Sequence, residues 1–328
     1  MTNTSESSKH RKSSDYPEPL IVPPAREHRQ TLILLHGRGS SASKFGPEIL
    51  ATEIPNLESL VNAFPHAKFV FPAASKRRAA IYKRTPINQW FDNWSLETPT
   101  KREELQTDGL RETSAYIHGL LRGEICLVGA KNVVLGGLSQ GCAATLVSLL
   151  TWDGEPLAAA VGMCGWLPFR KHLEDITRNA ESCEDNEDAN DDPFTHSDEE
   201  GNPYSRDEDP CSRNDGREAT PSADLSMQAV AYLREELDMS APSLPMPFQR
   251  IPLFLGHGIE DEKVSINLGR EAASCLSAMA MDIHWKEYDG LGHWYSKDML
   301  HDLVVFVREK SSWVVEEVAV NSGIGDER

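Results

Sequence analysis

Residues 133–146, VVLGGLSQGCAATL, place one serine between glycines where apolar β-formers give way to small residues and leucines. NVVLGG (132–137) has the composition of a buried strand, and a helical pattern begins at Ser139. The small residues are consistent with close packing of a helix on a strand. Gly137-x-Ser139-x-Gly141 also has the form of a nucleophile elbow, the strained turn that raises a serine oxygen above a sheet. The choice between packing and chemistry depends on what else the chain places near this turn.

Short apolar strands alternate with helices along the chain on both sides of this motif. The predicted strands are TLILLHG, KFVFP, NVVLGG, LAAAVGMCG, IPLFLGHG and IHWKEY. The last helix has Leu300, Leu303, Val304 and Val307 at the i, i+3, i+4, i+7 spacing of an amphipathic helix. This alternation predicts an α/β fold with a mainly parallel sheet and helices on both faces. In such sheets the functional residues follow the carboxyl ends of the strands.

Three residues with complementary chemistry each follow a predicted strand. Ser139 follows NVVLGG, Asp261 lies in GHGIEDEKV after IPLFL, and His293 lies in YDGLGHWY after IHWKEY. The chain order Ser, Asp, His is that of an α/β-hydrolase. In that arrangement the imidazole takes the proton of the attacking serine, and the carboxylate orients the imidazole and stabilises its charged form.

The oxyanion of an acyl-transfer intermediate needs N–H donors that are already aimed at it. One is expected from the backbone of Gln140, the residue after the nucleophile. The other is expected from the loop after the first strand, His36-Gly37-Arg38-Gly39, and we assign it to the backbone N–H of Arg38. No Cys/His cluster has the spacing of a zinc site, so no metal is expected.

Other residues could fill the same roles. His36 and His257 also end strands, so each is an alternative base or a residue that orders its own loop by hydrogen bonds. Glu260 and Glu262 flank Asp261 and are alternative acids.

Aromatic residues are the candidate substrate-binding side chains. Trp90, Phe91 and Trp94 could line an acyl pocket or cap the core, and Trp294 adjoins His293. Cys142 is either a small helix residue or a reactive thiol near a helix start.

The formal charge of −18 over 328 residues argues against nucleic acid or an anionic membrane surface as a main partner. The apolar runs are too short to span a membrane, so no stable membrane insertion is expected. The N-terminus lacks an apolar signal-peptide core. Six cysteines without CxxC pairs fit a reducing compartment. We therefore expect a cytoplasmic protein.

Composition divides the chain into one domain, two tails and an insertion. We predict a disordered tail over 1–24, a single domain over 25–318 and a C-terminal tail over 319–328. Segment 174–222 is acidic and nearly devoid of aliphatic residues, which predicts a disordered insertion. Between Glu174 and Glu218 it carries 17 acidic residues against 4 arginines. Such a segment either shields the catalytic face from anionic substrates or remains in solvent without visiting it.

With these residues assembled, the chain resembles the acyl-protein thioesterase and lysophospholipase-like carboxylesterases of the α/β-hydrolase superfamily. The resemblance rests on GLSQGC (137–142), HGIEDEKV (257–264) and the loops around them, and the second motif favours Asp261 as the acid. The chain departs from the family pattern at three positions: Arg38 stands for Leu, Ser40 for Asp and Cys142 for Gly. The resemblance implies hydrolysis of carboxylic esters or S-acyl thioesters, including small esters, acylated proteins and lysophospholipids, without a cofactor.

Two other functions fit the same motifs. A serine peptidase would use the same triad on the same fold, although no additional substrate-gating domain is evident. A non-catalytic binding protein could retain the scaffold, although loss of a triad residue would then be expected.

Overall fold

A seven-stranded, mainly parallel sheet lies at the centre of the residues that the computed structural model describes, 16–178, 222–241, 246–311 and 313. The strands are β1 (Leu20–Val22), β2 (Gln30–Leu35), β3 (Ala67–Phe71), β4 (Lys76–Ala79), β5 (Thr85–Asn88), β6 (Val133–Leu138), β7 (Ala159–Met163), β8 (Leu253–Gly258) and β9 (Ile283–Tyr288). The order across the sheet is β1-β3-β2-β6-β7-β8-β9, with β1 antiparallel to β3, while β4 and β5 form a separate hairpin. The predicted α/β class is confirmed.

Helices cover both faces of the sheet. They are α1 (Ala42–Ala51), α2 (Leu60–Ala63), α3 (Glu104–Val128), α4 (Gln140–Leu150), α5 (Arg170–Arg178), α6 (Ser222–Glu236), α7 (Ile266–Ala278) and α8 (Lys297–Lys310). Strand β2 shows why two layers are needed: Ile33 and Leu35 pack in one buried cluster with α3, α4 and α7, whereas Leu32 and Leu34 pack in another with α1 and α8. None of the described helices is both long and apolar enough to cross a bilayer.

Helix α8 illustrates how local sequence sets an element. The Ser296 side chain accepts a hydrogen bond from the Met299 N–H at 3.0 Å, which satisfies one of the free donors at the helix start. Its predicted apolar face is buried along its whole length. The loop that carries His293 is therefore anchored to the sheet at both ends, by β9 before it and by α8 after it.

Two predicted boundaries differ from the described structure. Residues 16–24, which the prediction assigned to the N-terminal tail, include the edge strand β1, which pairs with β3, and Tyr16, whose hydroxyl forms a hydrogen bond with that of Thr113 at 2.9 Å. Helix α5 extends to Arg178, and Glu174 forms an ion pair with Arg170 at 2.6 Å, so the first residues of the predicted insertion are helical. The rest of that insertion, residues 179–221, lies outside the described residues, and its last residue, Ser222, begins α6. The predicted tail over 319–328 also lies outside them.

Candidate active site

Ser139 occupies the sharp turn between β6 and α4. Its φ of 58° lies in the left-handed region that residues with a side chain seldom adopt, and its N–H donates to the Met163 carbonyl at 2.8 Å. A Cβ on Gly137 would lie 2.4 Å from the backbone of Gly141, and a Cβ on Gly141 would lie 2.4 Å from the Leu35 carbonyl oxygen. The turn therefore has the strain and the tight packing of a nucleophile elbow.

A hydrogen-bonded relay joins side chains that follow β6, β8 and β9. His293 Nε2 lies 2.8 Å from Ser139 Oγ, and His293 Nδ1 lies 2.7 Å from Asp261 Oδ2. The Asp261 side chain is fully buried and that of His293 is 14% exposed. An imidazole that donates from Nδ1 to a carboxylate keeps the lone pair of Nε2 facing the serine hydroxyl. The structure thus brings the three predicted residues together in the order serine hydroxyl, imidazole and carboxylate.

Four N–H groups surround the Asp261 carboxylate. Oδ1 accepts the backbone N–H groups of Lys263 and Val264, both at 2.9 Å. Oδ2 faces His293 Nδ1 and, at 3.2 Å, His257 Nε2. Burial raises the pKa of Asp261, but the hydrogen bonds from His257, His293 and the Val264 N–H, together with the charge of His293, outweigh burial, so the pKa lies well below its usual range. The acid is therefore charged at neutral pH.

His257 contacts the acid, whereas His293 is the histidine that reaches the serine hydroxyl. The His257 ring is buried, and its Nε2 lies 2.9 Å from the Val264 carbonyl oxygen, so this nitrogen carries the proton. The same proton faces Asp261 Oδ2. His257 is thus placed to orient the carboxylate that in turn orients the base.

Cys164, His257 and Asp261 bring metal-ligand types of atom within 4.8 Å of one another. The hydrogen bonds among them do not fit a metal ion. His257 Nε2 directs a proton toward the group, and the Asp261 oxygens already face N–H donors. The Cys164 thiol donates to the Trp294 carbonyl, and burial raises the pKa of this thiol to about 12. A bound cation would need lone pairs where this group presents protons.

Two backbone N–H groups near the serine are available for an oxyanion. Among the hydrogen bonds of the described residues, none uses the N–H of Arg38 or of Gln140. The loop that carries Arg38 is ordered by His36, whose Nε2 accepts the Ala74 N–H at 3.1 Å and whose Nδ1 donates to the Gly37 carbonyl at 2.8 Å. Burial lowers the pKa of His36, which favours this neutral form. His36 therefore orders its loop rather than serving the serine as a base.

The Gln140 side chain has a role that the sequence pattern did not indicate. It is buried; its Oε1 accepts the Trp90 N–H at 3.0 Å, and its Nε2 donates to the Phe91 carbonyl at 2.7 Å. The amide therefore ties the start of α4 to the segment after β5. The sequence did not reveal this role, because the backbone N–H of the residue after a nucleophilic serine has a function whatever its side chain is.

Gln140→Ala is expected to lower the free energy of unfolding by about 2 kcal/mol or more, because two buried backbone groups lose their partners. Gln106→Ala is the matched control: Gln106 is also buried in a helix, but its Nε2 makes one long bond of 3.4 Å to the Pro99 carbonyl and its Oε1 has no partner among the described residues. Urea unfolding of both variants measures the difference. Equal losses would show that the Gln140 bonds contribute little.

The aromatic candidates divide into buried and exposed side chains. Trp90 and Phe91 are both 0% exposed, and the Trp90 indole N–H donates to the His36 carbonyl at 2.7 Å. Their burial supports the alternative in which they cap the core, and neither residue lines the cavity described below. Trp294 and Trp94 are 38% and 37% exposed. These two aromatic rings are accessible to a ligand.

Cys142 is a packed core residue rather than a reactive thiol. It is buried, and burial raises its pKa far above the usual value. A Cβ on Gly162 or on Gly165 would lie 2.5 Å or 2.3 Å from its sulfur. The thiol thus fills space that these two glycines leave open, which accommodates a side chain larger than glycine at this position.

A cavity of about 560 Å³ lies between the loop of Arg38 and the loop of Asp261. Its lining residues are Arg38, Ala80, Ile81, Tyr82, Trp94, Ser95, Leu96, Glu97, Glu262 and Lys263. A larger cavity of about 680 Å³ lies around the β9 end and the start of α8. None of Ser139, Asp261 and His293 lines either cavity. We take the smaller cavity as the candidate substrate pocket because Arg38, whose N–H is available for an oxyanion, and the two residues after Asp261 line it. The sequence pattern did not indicate its hairpin wall, because Ile81 and Tyr82 lie in a short polar segment.

Strand order, elbow and relay together define an α/β-hydrolase of the serine type. Comparison with protein families identifies the family within this class. Residues 17–184, slightly more than half of the chain, match the phospholipase/carboxylesterase family model. The protein belongs to this family, and it is an enzyme that hydrolyses carboxylic ester or thioester bonds.

Curated relatives agree with this assignment, and a solved structure shares the fold. Acyl-protein thioesterase 1 of Gibberella zeae is 22% identical over 297 residues, covering 89% of this chain and 95% of the relative. Acyl-protein thioesterase 1 of Schizosaccharomyces pombe is 29% identical over 151 residues, covering 46% of this chain and 62% of the relative. The crystal structure of Zea mays acyl-protein thioesterase 2 superposes with a TM-score of 0.58 at 20% identity, covering 90% of this chain and 99% of that one. This structural likeness extends over the whole fold.

Proposed function

We propose that Ser139, His293 and Asp261 are the catalytic triad of an acyl-protein thioesterase or carboxylesterase that works through an acyl-enzyme. The observation that carries the proposal is the relay of 2.8 Å from Ser139 Oγ to His293 Nε2 and 2.7 Å from His293 Nδ1 to Asp261 Oδ2. Both distances lie within the range for nucleophile activation. Neither a peptidase nor a binding protein is favoured by any feature of the described residues.

In the acylation step, Ser139 Oγ attacks the carbonyl carbon of the substrate while its proton moves to His293 Nε2. The carbonyl oxygen becomes an oxyanion, which the N–H groups of Arg38 and Gln140 are placed to stabilise. Collapse of the intermediate breaks the bond to the leaving alcohol or thiol, which takes the proton from His293. The acyl group is then esterified to Ser139.

Deacylation repeats these steps with water. His293 Nε2 removes a proton from the water as it attacks the acyl carbonyl, and it returns that proton to Ser139 Oγ as the free acid leaves. Asp261 stabilises the imidazolium in both steps and takes no proton itself, in accord with its lowered pKa. The cycle consumes water and substrate alone.

The substrate class is inferred from the relatives and from the pocket. The named relatives are acyl-protein thioesterases, which supports S-acylated protein or a related acyl ester as substrate here. A pocket with Ile81, Trp94 and Leu96 on its walls offers apolar surface for an acyl chain. The described cysteines Cys126, Cys142, Cys164 and Cys275 are unpaired, which supports a reducing, cytoplasmic setting.

A fluorophosphonate probe and a substrate panel test the proposal. Wild-type protein is expected to be labelled on Ser139, and Ser139→Ala is expected to remain unlabelled. The panel compares p-nitrophenyl esters, an S-palmitoylated peptide, acyl-CoA and a lysophospholipid, and thioester cleavage is expected. Absence of labelling and of turnover in folded wild-type protein would reject the proposed function.

His257 provides a further prediction for the same mechanism. His257→Leu removes the Nε2–H that faces Asp261 Oδ2 at 3.2 Å, and we expect kcat to fall about tenfold or more while KM changes little, since a hydrogen bond to a charged group contributes about 1.5–3 kcal/mol. His257→Gln keeps an N–H at a similar distance from the backbone and is expected to recover much of the loss. Similar kcat values for the two variants would assign His257 a packing role.

A further inference from the structure

We propose that the Arg38 side chain makes the pocket selective for substrates that carry an oxyanion, a carboxylate or a phosphate, near the scissile carbonyl. The inference rests on the proposed function, because it concerns which esters reach Ser139. Arg38 has two separate parts in this argument: its backbone N–H is the proposed oxyanion donor, and the residue lines the cavity.

Arg38 is far from Ser139 along the chain, but its neighbour Gly37 lies beside Ser139 in space. It follows Gly37, on which a Cβ would lie 3.4 Å from Ser139 Cβ and 3.9 Å from Ser139 Oγ. Its side chain lines the same cavity as Glu262 and Lys263, the two residues after Asp261. A ligand in this cavity therefore lies between the oxyanion loop and the acid loop.

The guanidinium is held in place by neutral groups. Its Nη1 donates to Asn93 Oδ1 at 2.7 Å, and its carbon lies 5.6 Å from the centre of the Tyr82 ring. No carboxylate of the described residues lies within ion-pair distance of it. The nearby Asp92 instead accepts the Ala80 N–H with both oxygens, at 2.9 Å and 3.2 Å. Most of the five N–H donors of Arg38 are thus left for a ligand.

An arginine in this setting differs from the other charges of the pocket. Glu97, Glu262 and Lys263 are exposed at the rim, where water and salt weaken their fields. Arg38 is only partly exposed, and burial lowers its pKa while Tyr82 and Asp92 act in the opposite direction. A charge withdrawn from water without a direct ion pair is costly, and an anionic ligand that pairs with it reduces that cost. Arg38 therefore attracts an anionic ligand locally, although the chain as a whole has a net charge of −18.

The test compares matched anionic and neutral substrates in two arms. The first arm pairs mono-p-nitrophenyl adipate with its methyl ester, which places a carboxylate on the acyl side. The second pairs 1-lauroylglycerol 3-phosphate with 1-lauroylglycerol, which places a phosphate on the leaving-group side. The measured quantity is the ratio of kcat/KM for the anionic member to that for the neutral member. If a variant disturbs the oxyanion loop, kcat/KM falls equally for the anionic and the neutral member, and this loss cancels in the ratio.

In at least one arm, Arg38→Gln is expected to lower this ratio about tenfold or more, because a charge-assisted hydrogen bond is lost. Arg38→Lys keeps the charge without the planar fork and is expected to give an intermediate ratio. Arg84→Gln makes the same chemical change on an exposed arginine of the β4–β5 hairpin and is the matched control. The arm that responds identifies which side of the substrate carries the anion.

The proposal is overturned if Arg38→Gln changes the ratio less than threefold in both arms, or if Arg84→Gln lowers it equally. Labelling by a neutral fluorophosphonate and the thermal unfolding midpoint verify that each variant is folded with an assembled site. If Arg38→Gln does not fold, Arg38→Lys replaces it as the deciding variant, and its ratio must then fall at least threefold in one arm. Failure of the proposed function has a separate signature, since wild-type protein would then neither bind the probe nor hydrolyse the neutral esters.

Discussion

Ser139→Ala and His293→Ala are each expected to lower kcat by roughly 10⁴- to 10⁶-fold, with KM changed far less. The reason is that the hydrogen bond between Ser139 Oγ and His293 Nε2 carries the proton transfer that activates the nucleophile. Without Oγ no acyl-enzyme forms, and without Nε2 the hydroxyl remains a weak nucleophile at neutral pH. The measurement is steady-state hydrolysis of a p-nitrophenyl ester by purified variants whose folding is verified by circular dichroism.

The double variant distinguishes a triad from independent contributions. Because the members act as a unit, Ser139→Ala combined with His293→Ala is expected to be scarcely slower than either single variant. Asp261→Asn is expected to cost about 10⁴-fold, since an amide cannot stabilise the imidazolium. Near wild-type turnover by folded His293→Ala would remove His293 from the mechanism.

Gly141→Ala is expected to lower the free energy of unfolding by about 3 kcal/mol and to reduce activity as well. A Cβ at this position would lie 2.4 Å from the Leu35 carbonyl oxygen and 2.7 Å from that of His36. The obstacles are backbone atoms at the end of β2, so no side-chain rotation relieves the contact. The displaced loop is the one that carries Arg38, which couples the loss of stability to loss of oxyanion binding. Urea unfolding and kcat measure the two effects.

Gly123→Ala is the matched control, because Gly123 is also a helical glycine but a Cβ there meets nothing within 4 Å. Alanine has the higher helix propensity, so this variant is expected to gain about 0.5–1 kcal/mol. A lower free energy of unfolding for Gly141→Ala and a higher one for Gly123→Ala would show that packing around the added Cβ causes the difference. A stable and active Gly141→Ala variant would show that α4 can move away from β2 without harm to the site.

The alternation of apolar strands and helices was sufficient to predict the α/β class, because burial of a strand on both faces leaves a continuous apolar run. The elements with ambiguous local patterns were missed or misplaced. Strand β1 is a three-residue segment beside prolines, and its backbone pairing with β3 stabilises it. The β4–β5 hairpin carries charged residues, and its structure follows from pairing that no periodicity reveals.

The sequence by itself determined the identity of the triad candidates, since residue type, order and position after strands are local properties that parallel topology brings to one edge. Tertiary structure alone decided what the remaining side chains do. It placed Trp90 and Phe91 in the core, gave the Gln140 amide two backbone partners, and set His257 against Asp261. It also placed Arg38 in the lining of a cavity and left its guanidinium without an ion pair to a carboxylate of the described residues. These roles depend on contacts between segments far apart in the chain, and the pattern of residues along one segment carries no record of them.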